Sequence, residues 1–506
     1  MTQINVSNLT FCYEGSFDNI FENVSFSIDT NWKLGFIGRN GKGKSTFFKI
    51  LMKECKYQGS INAQTVFDYF PYNITEEQNN MCLIDFYESL KSNCEFWRVC
   101  YEMEKLNLSQ DILYRKFSSL SYGERTKAML SILFAGENDF LLIDEPTNHL
   151  DMEARESIKN YLNQKKGFIL ISHDRDFLDA CIDHVLVLNR KTIEVQSGNF
   201  SSWWENKCKK DNFAKMENEK HNREISKLKK SAQRSKAWAT KNESTKIGFN
   251  RIKEHDRFID TRAYIGAKTK KMQSRVKQYE RRIEREIEQK EGLLQDIESI
   301  ASLKLMPSKY FKEVLIEARG YNLKYKDSKT VLDNFNFGIC NGERVLLRGR
   351  NGCGKSSFIK AILAHLNGVY LENAIEDGIL NVGSNLKVSY VSQDTSFLKG
   401  NIKDYCRSKN LDESRFCAIH RQLDFERVQF VKDIKDYSEG QKKKVLIASS
   451  LMEEADIYIW DEPLNYLDVF SRIQIEKLIL EYKPTMIFVE HDLYFQQKIA
   501  TRIIDI

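Results

Sequence analysis

Two stretches of this 506-residue chain have the residue types and spacing to hold a polyphosphate. Gly38-x-x-x-x-Gly43-Lys44-Ser45 and Gly349-x-x-x-x-Gly354-Lys355-Ser356 each follow an apolar run (LGFI, VLLR) and precede a helical pattern (TFFKILM, SFIKAIL). Strand, loop and helix in that order let successive backbone N–H groups wrap a phosphate, with the positive end of the helix behind it. The glycines at 38, 41 and 43, and at 349, 352 and 354, supply clearance and unusual dihedrals. Asn40, Thr46, Asn351 and Ser357 complete the two loops. Lys44 and Lys355 are placed to reach the β- and γ-phosphates, and the Ser45 and Ser356 hydroxyls to meet Mg²⁺. A nucleoside triphosphate with its Mg²⁺ is the expected ligand.

The partners that such chemistry needs lie downstream. Asp144 and Asp461 end apolar, β-rich runs and are expected at the metal. Glu145 and Glu462 follow them, placed to polarise an attacking water. His173 and His491 come after further apolar runs (GFILIS, MIFVE), placed to touch the γ-phosphate or hold the water in line. A strand-end salt bridge and a core histidine are the plain alternatives for these positions.

The elements that position these residues occur twice. LSYGE at 120–124 returns as YSEGQ at 437–441, LLIDEPTNHLD at 141–151 as IYIWDEPLNYLD at 457–468, and ISHD at 171–174 as VEHD at 489–492. The same order in both halves implies two homologous α/β domains, read as 1–205 and 314–506. Between them, 206–313 has another texture. Residues 206–290 hold 26 Lys or Arg against 12 Asp or Glu, whereas the whole chain has 77 against 71. Apolar residues recur there at helical spacing: Phe213, Met216, Ile225, Leu228 and Ala232, then Val276, Tyr279, Ile283, Ile287, Leu294 and Ile297. Two antiparallel helices are expected, with a tip near 240–260 and arms of about 60 Å at roughly 1.5 Å per residue. A cationic prong attracts a polyanion, nucleic acid above all; a solvated hairpin is the plain alternative.

Together these residues resemble an ATP-binding cassette ATPase with two cassettes on one chain. LSYGE and YSEGQ resemble the family's signature motif, and Asp151 and Asp468 its interface aspartates. The resemblance implies that Ser438 and Gly440 close over the ATP held at Lys44, and Ser121 and Gly123 over the ATP at Lys355. Tyr13 and Tyr325 sit where the family stacks an aromatic on adenine, a core tyrosine being the plain alternative for each, and Gln393 where it places a glutamine on Mg²⁺. In the first half the matching position is Tyr72, the second signature carries Glu439, and Leu464 follows Pro463, so two unequal sites are expected. Two cassettes joined by a long basic hairpin make the chain resemble the ABC-F translation factors, and TNWKLGFIGRNGKGKST, FDYFPY and DTRAYIGAKTKKMQSR most resemble the Lsa/Vga-type antibiotic resistance proteins that protect ribosomes. That resemblance implies an Mg-dependent ATPase acting from the tRNA exit site of the 70S ribosome. It would contact 23S rRNA and the peptidyl-site tRNA and dislodge lincosamides, pleuromutilins and streptogramin A. A housekeeping factor that resolves stalled ribosomes is the alternative. Candidate RNA contacts are Lys229, Lys230, Arg234, Lys236, Trp238, Ile247, Phe249, Tyr264, Arg275 and Lys277.

Composition narrows the field further. Apolar residues make up 42%, and the longest apolar runs fall short of a membrane span. Eleven scattered cysteines with no CxxC pair support neither a zinc site nor a disulfide framework. No basic-then-apolar leader opens the chain, so a cytoplasmic monomer with no membrane or DNA partner is expected.

Overall fold

The computed structural model describes residues 3–13, 19–91, 95–136, 139–148, 150–189, 192–244, 274, 277–279, 281–283, 285–286, 303–326, 330–371, 373–425 and 427–506. Residues 139, 232, 235, 236, 238–244, 427 and 428 are described as backbone only. Met1–Trp203 and Ile300–Ile506 form one compact unit, and Trp204–Ser299 a second.

Each half of the first unit is built on a largely parallel sheet. In the first half the order is Val66–Phe70, Asp139–Asp144, Phe168–Ile171, Lys33–Ile37, His184–Leu188 and Ile193–Ser197, the last strand antiparallel. In the second half it is Val388–Val391, Ile457–Asp461, Met486–Val489, Arg344–Arg348 and Arg502–Asp505. Phe168–Ile171 and Ile457–Asp461 are buried at every residue, as expected of strands with both faces covered. A three-stranded antiparallel sheet accompanies each half: Phe21–Asp29, Gln3–Phe11 and Gln58–Asn62, then Thr330–Cys340, Val314–Tyr325 and Ala374–Val382. The phosphate loops, Asp144 and Asp461 all lie at the carboxyl ends of parallel strands, where doubly wound sheets open a crevice.

The helix Phe200–Ser244 runs for 45 residues, about 67 Å at 1.5 Å per residue. Helical residues return at 274, 277–279, 281–283 and 285–286. The hydroxyls of Ser231 and Tyr279 lie 3.2 Å apart and bring this stretch beside the long helix. The apolar stripe agrees with the sequence reading at Ile225, Leu228 and Ile283 and departs from it at Phe213 and Met216. Phe213 and Met216 are 63% and 71% exposed, whereas Ala214, Ile225 and Ile283 are buried. The less exposed positions step from Ala214 through Asn218 and His221 to Ile225 and Leu228, the four-three spacing of a helix seam. Lys229, Lys230, Arg234 and Lys277 are exposed. Ile247, Phe249, Tyr264 and Arg275 fall outside the described residues, as do the side chains of Lys236 and Trp238. No helix among the described residues is long and apolar enough to cross a membrane.

Candidate active site

Both phosphate loops are shaped by left-handed glycines. Gly43 and Gly354 have φ of 108° and 110°, and each caps the helix that starts with its lysine. A Cβ at Gly43 would meet Ile20 at 2.5 Å, and one at Gly354 would meet Val331 at 2.5 Å, so side chains are excluded twice over. The lysines fold back over their loops. Lys44 Nζ donates to Gly38 O at 2.5 Å and Asn40 Oδ1 at 3.2 Å, and Lys355 Nζ to the carbonyls of Gly349 and Arg350 at 2.8 Å each. Burial lowers the Lys44 pKa, against the pull of Asp468, Glu145 and Asp144.

Asp144 accepts from Ser45 Oγ at 3.0 Å and from the Tyr69 hydroxyl at 3.3 Å. Burial raises its pKa. Burial also raises that of Asp461, with Ser356 bonded to it in opposition. Asp461 Oδ1 is buried without a hydrogen-bond partner. An orphaned carboxylate oxygen beside a serine hydroxyl is a donor set that suits a hard cation such as Mg²⁺. Gln393 does not stand free to serve only a metal, since its Nε2 donates to Glu462 Oε2 at 2.8 Å. Tyr72 is turned away onto Asp68 at 2.8 Å. The tyrosine that does meet the first aspartate is Tyr69, which the motif comparison passed over.

Glu145 and Glu462 both adopt left-handed backbone, with φ of 49° and 47°. Their N–H groups are held by the carbonyls of Ile171 and Val489 on the neighbouring strands. Strain of this kind at a non-glycine persists where the surroundings over-determine it, often at functional sites. The two carboxyls differ. Burial, then Asp144, pushes Glu145 up to about 8. Burial also acts on Glu462, but its bond to His491 and the charges of Lys443 and Lys355 outweigh it and lower the pKa. His173 Nε2 lies 3.0 Å from Asn40 Oδ1 and 3.2 Å from Glu145 Oε1. Burial, with Lys44 and Arg472, holds that imidazole well below its ordinary value, so it is neutral. His491 Nε2 lies 3.4 Å from Glu462 Oε1.

The two halves meet across these sites. A cavity of 430 Å³ is lined by Asn40, Lys44, Asp144, Glu145 and His173 from the first half. The second half contributes Ser438, Glu439, Gly440 and Tyr466 to the same cavity. Asn40 Nδ2 donates to Tyr466 O at 2.8 Å across the seam, and a Cβ at Gly440 would meet that same carbonyl at 2.5 Å. A second cavity of 300 Å³ is lined by Lys355, Ser356, Gln393, Glu462 and His491, with Tyr122 and Arg155 from the first half. Ser121 and Gly123 flank Tyr122 but are not among the residues lining that cavity. Ser121 and Ser438 each open a helix through a capping box, with Glu124 and Gln441. Asp151 and Asp468 also serve as helix caps, accepting from Ala154 N and Ser471 N. The Tyr13 hydroxyl lies 2.9 Å from Thr46 Oγ1, and that of Tyr325 3.4 Å from Ser357 Oγ, which ties each aromatic to its loop.

Arg155 and Arg472 were missed, although the repeat carries them in step. Each stands four residues after the aspartate of its half, Asp151 or Asp468. Arg155 Nη1 bonds Asp174 Oδ2 at 3.1 Å, and Arg472 Nη1 bonds Asp492 Oδ2 at 3.2 Å.

Comparison with known proteins follows the same division. The family described as ABC transporter matches residues 21–148 and 332–465. ATP-binding protein Uup of Buchnera aphidicola subsp. Acyrthosiphon pisum is 30% identical, over 99% of this chain and 80% of that protein. Ribosome protection protein VmlR of Bacillus subtilis is 27% identical, over 96% of this chain and 84% of that one. A solved complex of archaeal ribosomal stalk protein aP1 with archaeal ribosome recycling factor aABCE1 shares the fold. Its TM-score is 0.60 at 18% identity, over 98% of this chain and 87% of that one.

Proposed function

Since the chain belongs to the ABC transporter family of ATP-binding cassette proteins, as an ATPase of the ABC-F branch, we propose that it acts on the ribosome as a translation factor that relieves stalling. The observation that carries this reading is the pairing of two ATP sites in one compact unit with a second unit that is helical and basic. Lys and Arg on such arms pair with RNA phosphates, which sets position and affinity while reading little sequence. In this reading the cassettes are 1–205 and 314–506, the prong is 206–313, and the partners are 23S rRNA and peptidyl-site tRNA in the cytoplasm.

At each site the lysine neutralises phosphate charge, and the glutamate, once ionised, takes the proton of the attacking water, a state that Glu462 holds more readily than Glu145. The histidine holds the glutamate and the loop in line. Ser438 and Gly440 close over the nucleotide at Lys44, with Ser121 and Gly123 as their counterparts at Lys355. Ser45 with Asp144, and Ser356 with Asp461 and Gln393, would hold Mg²⁺, which supplies charge stabilisation to the transferred phosphoryl group. ATP binding favours the closed pair of cassettes, and hydrolysis releases it, so the cycle shifts a population rather than pulling on the arms.

The test is ribosome retention of a Glu145→Gln plus Glu462→Gln variant in ATP and in ADP. Retention in ATP should exceed that of the parent, and equal retention overturns the cycle. Similarity to a ribosome protection protein, VmlR, favours a second reading, ribosome protection, for which the Lsa/Vga resemblance suggests lincosamides, pleuromutilins and streptogramin A as the drugs. Expression in a drug-sensitive host separates the two. A rise in inhibitory concentration for those drugs supports protection, and no rise leaves the translation factor.

A further inference from the structure

The half-buried side chain of Arg155 links the two cavities. Arg155 lies on the helix Met152–Asn163 and is anchored by Nε to the carbonyl of Leu150 at 3.1 Å. Its Nη1 then reaches two acceptors: Asp174 Oδ2 at 3.1 Å in its own cassette and the His491 carbonyl at 3.2 Å in the other. Its side chain is 14% exposed and lines the cavity at Lys355.

Each acceptor is joined to a different ATP site. Asp174 follows His173, which touches Asn40 and Glu145 in the Lys44 cavity. Asp174 Oδ1 is already fixed as the cap of the helix Arg175–Cys181, so Oδ2 cannot turn away from Arg155 without uncapping it. On the other side, the His491 ring faces Glu462 at 3.4 Å, so the position of the His491 backbone sets that contact. The links are continuous: Asn40, His173, Asp174, Arg155, His491, Glu462. A planar guanidinium held at Nε suits this task, because its donors point in fixed directions, whereas an ammonium on a flexible stem swings. Burial raises the Asp174 pKa and nearby Asp492 raises it further, while Arg155 and Arg472 oppose them.

We propose that Arg155 is a positioning residue that couples the two ATP sites, tying the histidine loop of the Lys44 site to that of the Lys355 site. Nucleotide at Lys44 settles His173 and Asp174, Asp174 settles Arg155, and Arg155 settles His491 against Glu462. Linkage makes the effect on affinity reciprocal. The inference rests on ATP binding at both loops and not on the ribosome.

The test uses the full chain and a non-hydrolysable ATP analogue, followed by calorimetry. Lys355→Ala and Lys44→Ala report each site alone, and the chain with both lysines reports the pair. The ratio of paired to single-site affinities should be about fivefold or more, within the usual range of coupling. Adding Arg155→Gln should bring that ratio, read at the Lys44 site, to within about twofold of one, while the affinity of that site alone, whose cavity Arg155 does not line, holds. A merely structural role would lower the affinity of the Lys44 site alone and leave the ratio unchanged. Asp174→Asn carries the same test should Arg155→Gln fail to fold, since it retains the Oδ1 cap and loses the Oδ2 acceptor. A parent ratio of one, or an unchanged ratio in both variants, overturns the proposal.

Discussion

Glu145 and Glu462 hold the same place after the two strand-end aspartates, yet their surroundings pull the carboxyls in opposite directions. The motifs show two glutamates; the difference comes from what packs around them. Sequence comparison finds the loops because backbone clearance demands glycine at fixed spacing. It cannot find Tyr69, because the hydroxyl that meets Asp144 arrives from a neighbouring strand, whereas Tyr72, which aligns with Gln393, bonds Asp68. His420 shows the same limit and leads to a prediction. It is fully buried, with Nδ1 donating to Phe416 O at 2.9 Å, Nε2 unpartnered, and Phe416 and Phe425 packed on the ring. Burial pushes its pKa down to about 4. The unfolded chain then binds a proton at this residue between about pH 6.5 and 4 and the folded chain does not. The stability contribution is complete above pH 6.5 and falls by about 3 kcal/mol on acidification to pH 4. Urea unfolding across that window should show the parent losing about 3 kcal/mol relative to His420→Leu as the pH falls. A constant difference would mean that His420 does not titrate in this way.

At the scale of elements, the α/β domains were legible because each phosphate loop sits between an apolar strand and a helix, and because everything recurs. The long helix was legible as a helix, and its rotation only in part. Hydropathy found Ile225 and Leu228, which the structure keeps in the seam, but it also pointed to Phe213 and Met216, whose places go to Ala214, Asn218 and His221. Polar residues in a seam hide it from any reading that ranks positions by apolar size. Ile225 belongs to the stripe in both readings and Phe213 only in the hydropathy one, so the pair tests the rotation. Ile225→Ala removes a buried side chain and should destabilise the second unit by about 2–4 kcal/mol. Phe213→Ser changes an exposed one and should stay within about 0.5 kcal/mol. Native-state hydrogen exchange of amides in Phe200–Ser244 measures the local effect without waiting for the cassettes to unfold. Equal protection loss in the two variants would put the seam back on the Phe213 side.

At the scale of the whole cassette unit, contacts made far apart in sequence hold the halves together, and no motif announces them. Arg175 Nη2 donates to Glu476 Oε2 at 2.6 Å with the two side chains 7% and 4% exposed, and the guanidinium also stacks 4.0 Å from the Tyr494 ring. Lys498 approaches the other oxygen of Glu476 at 2.7 Å. Arg350 and Glu153 form another pair across the seam at 2.5 Å, but these side chains are 75% and 68% exposed. Water screens the second pair and not the first. Neutralising Glu476 leaves the buried Arg175 guanidinium without its counter-charge, while Lys498, 43% exposed, stays hydrated, and breaking a buried pair from one side costs about 3–5 kcal/mol. Neutralising Arg350 costs about 0–1 kcal/mol, because Glu153 is simply hydrated. In urea unfolding of the full chain, Glu476→Gln should therefore lower stability several times more than Arg350→Gln. Salt should narrow only the smaller effect, since screening reaches exposed charges and not buried ones. If the two substitutions cost the same and respond to salt alike, the buried pair does not lock the cassettes, and their pairing rests on the nucleotide sites alone.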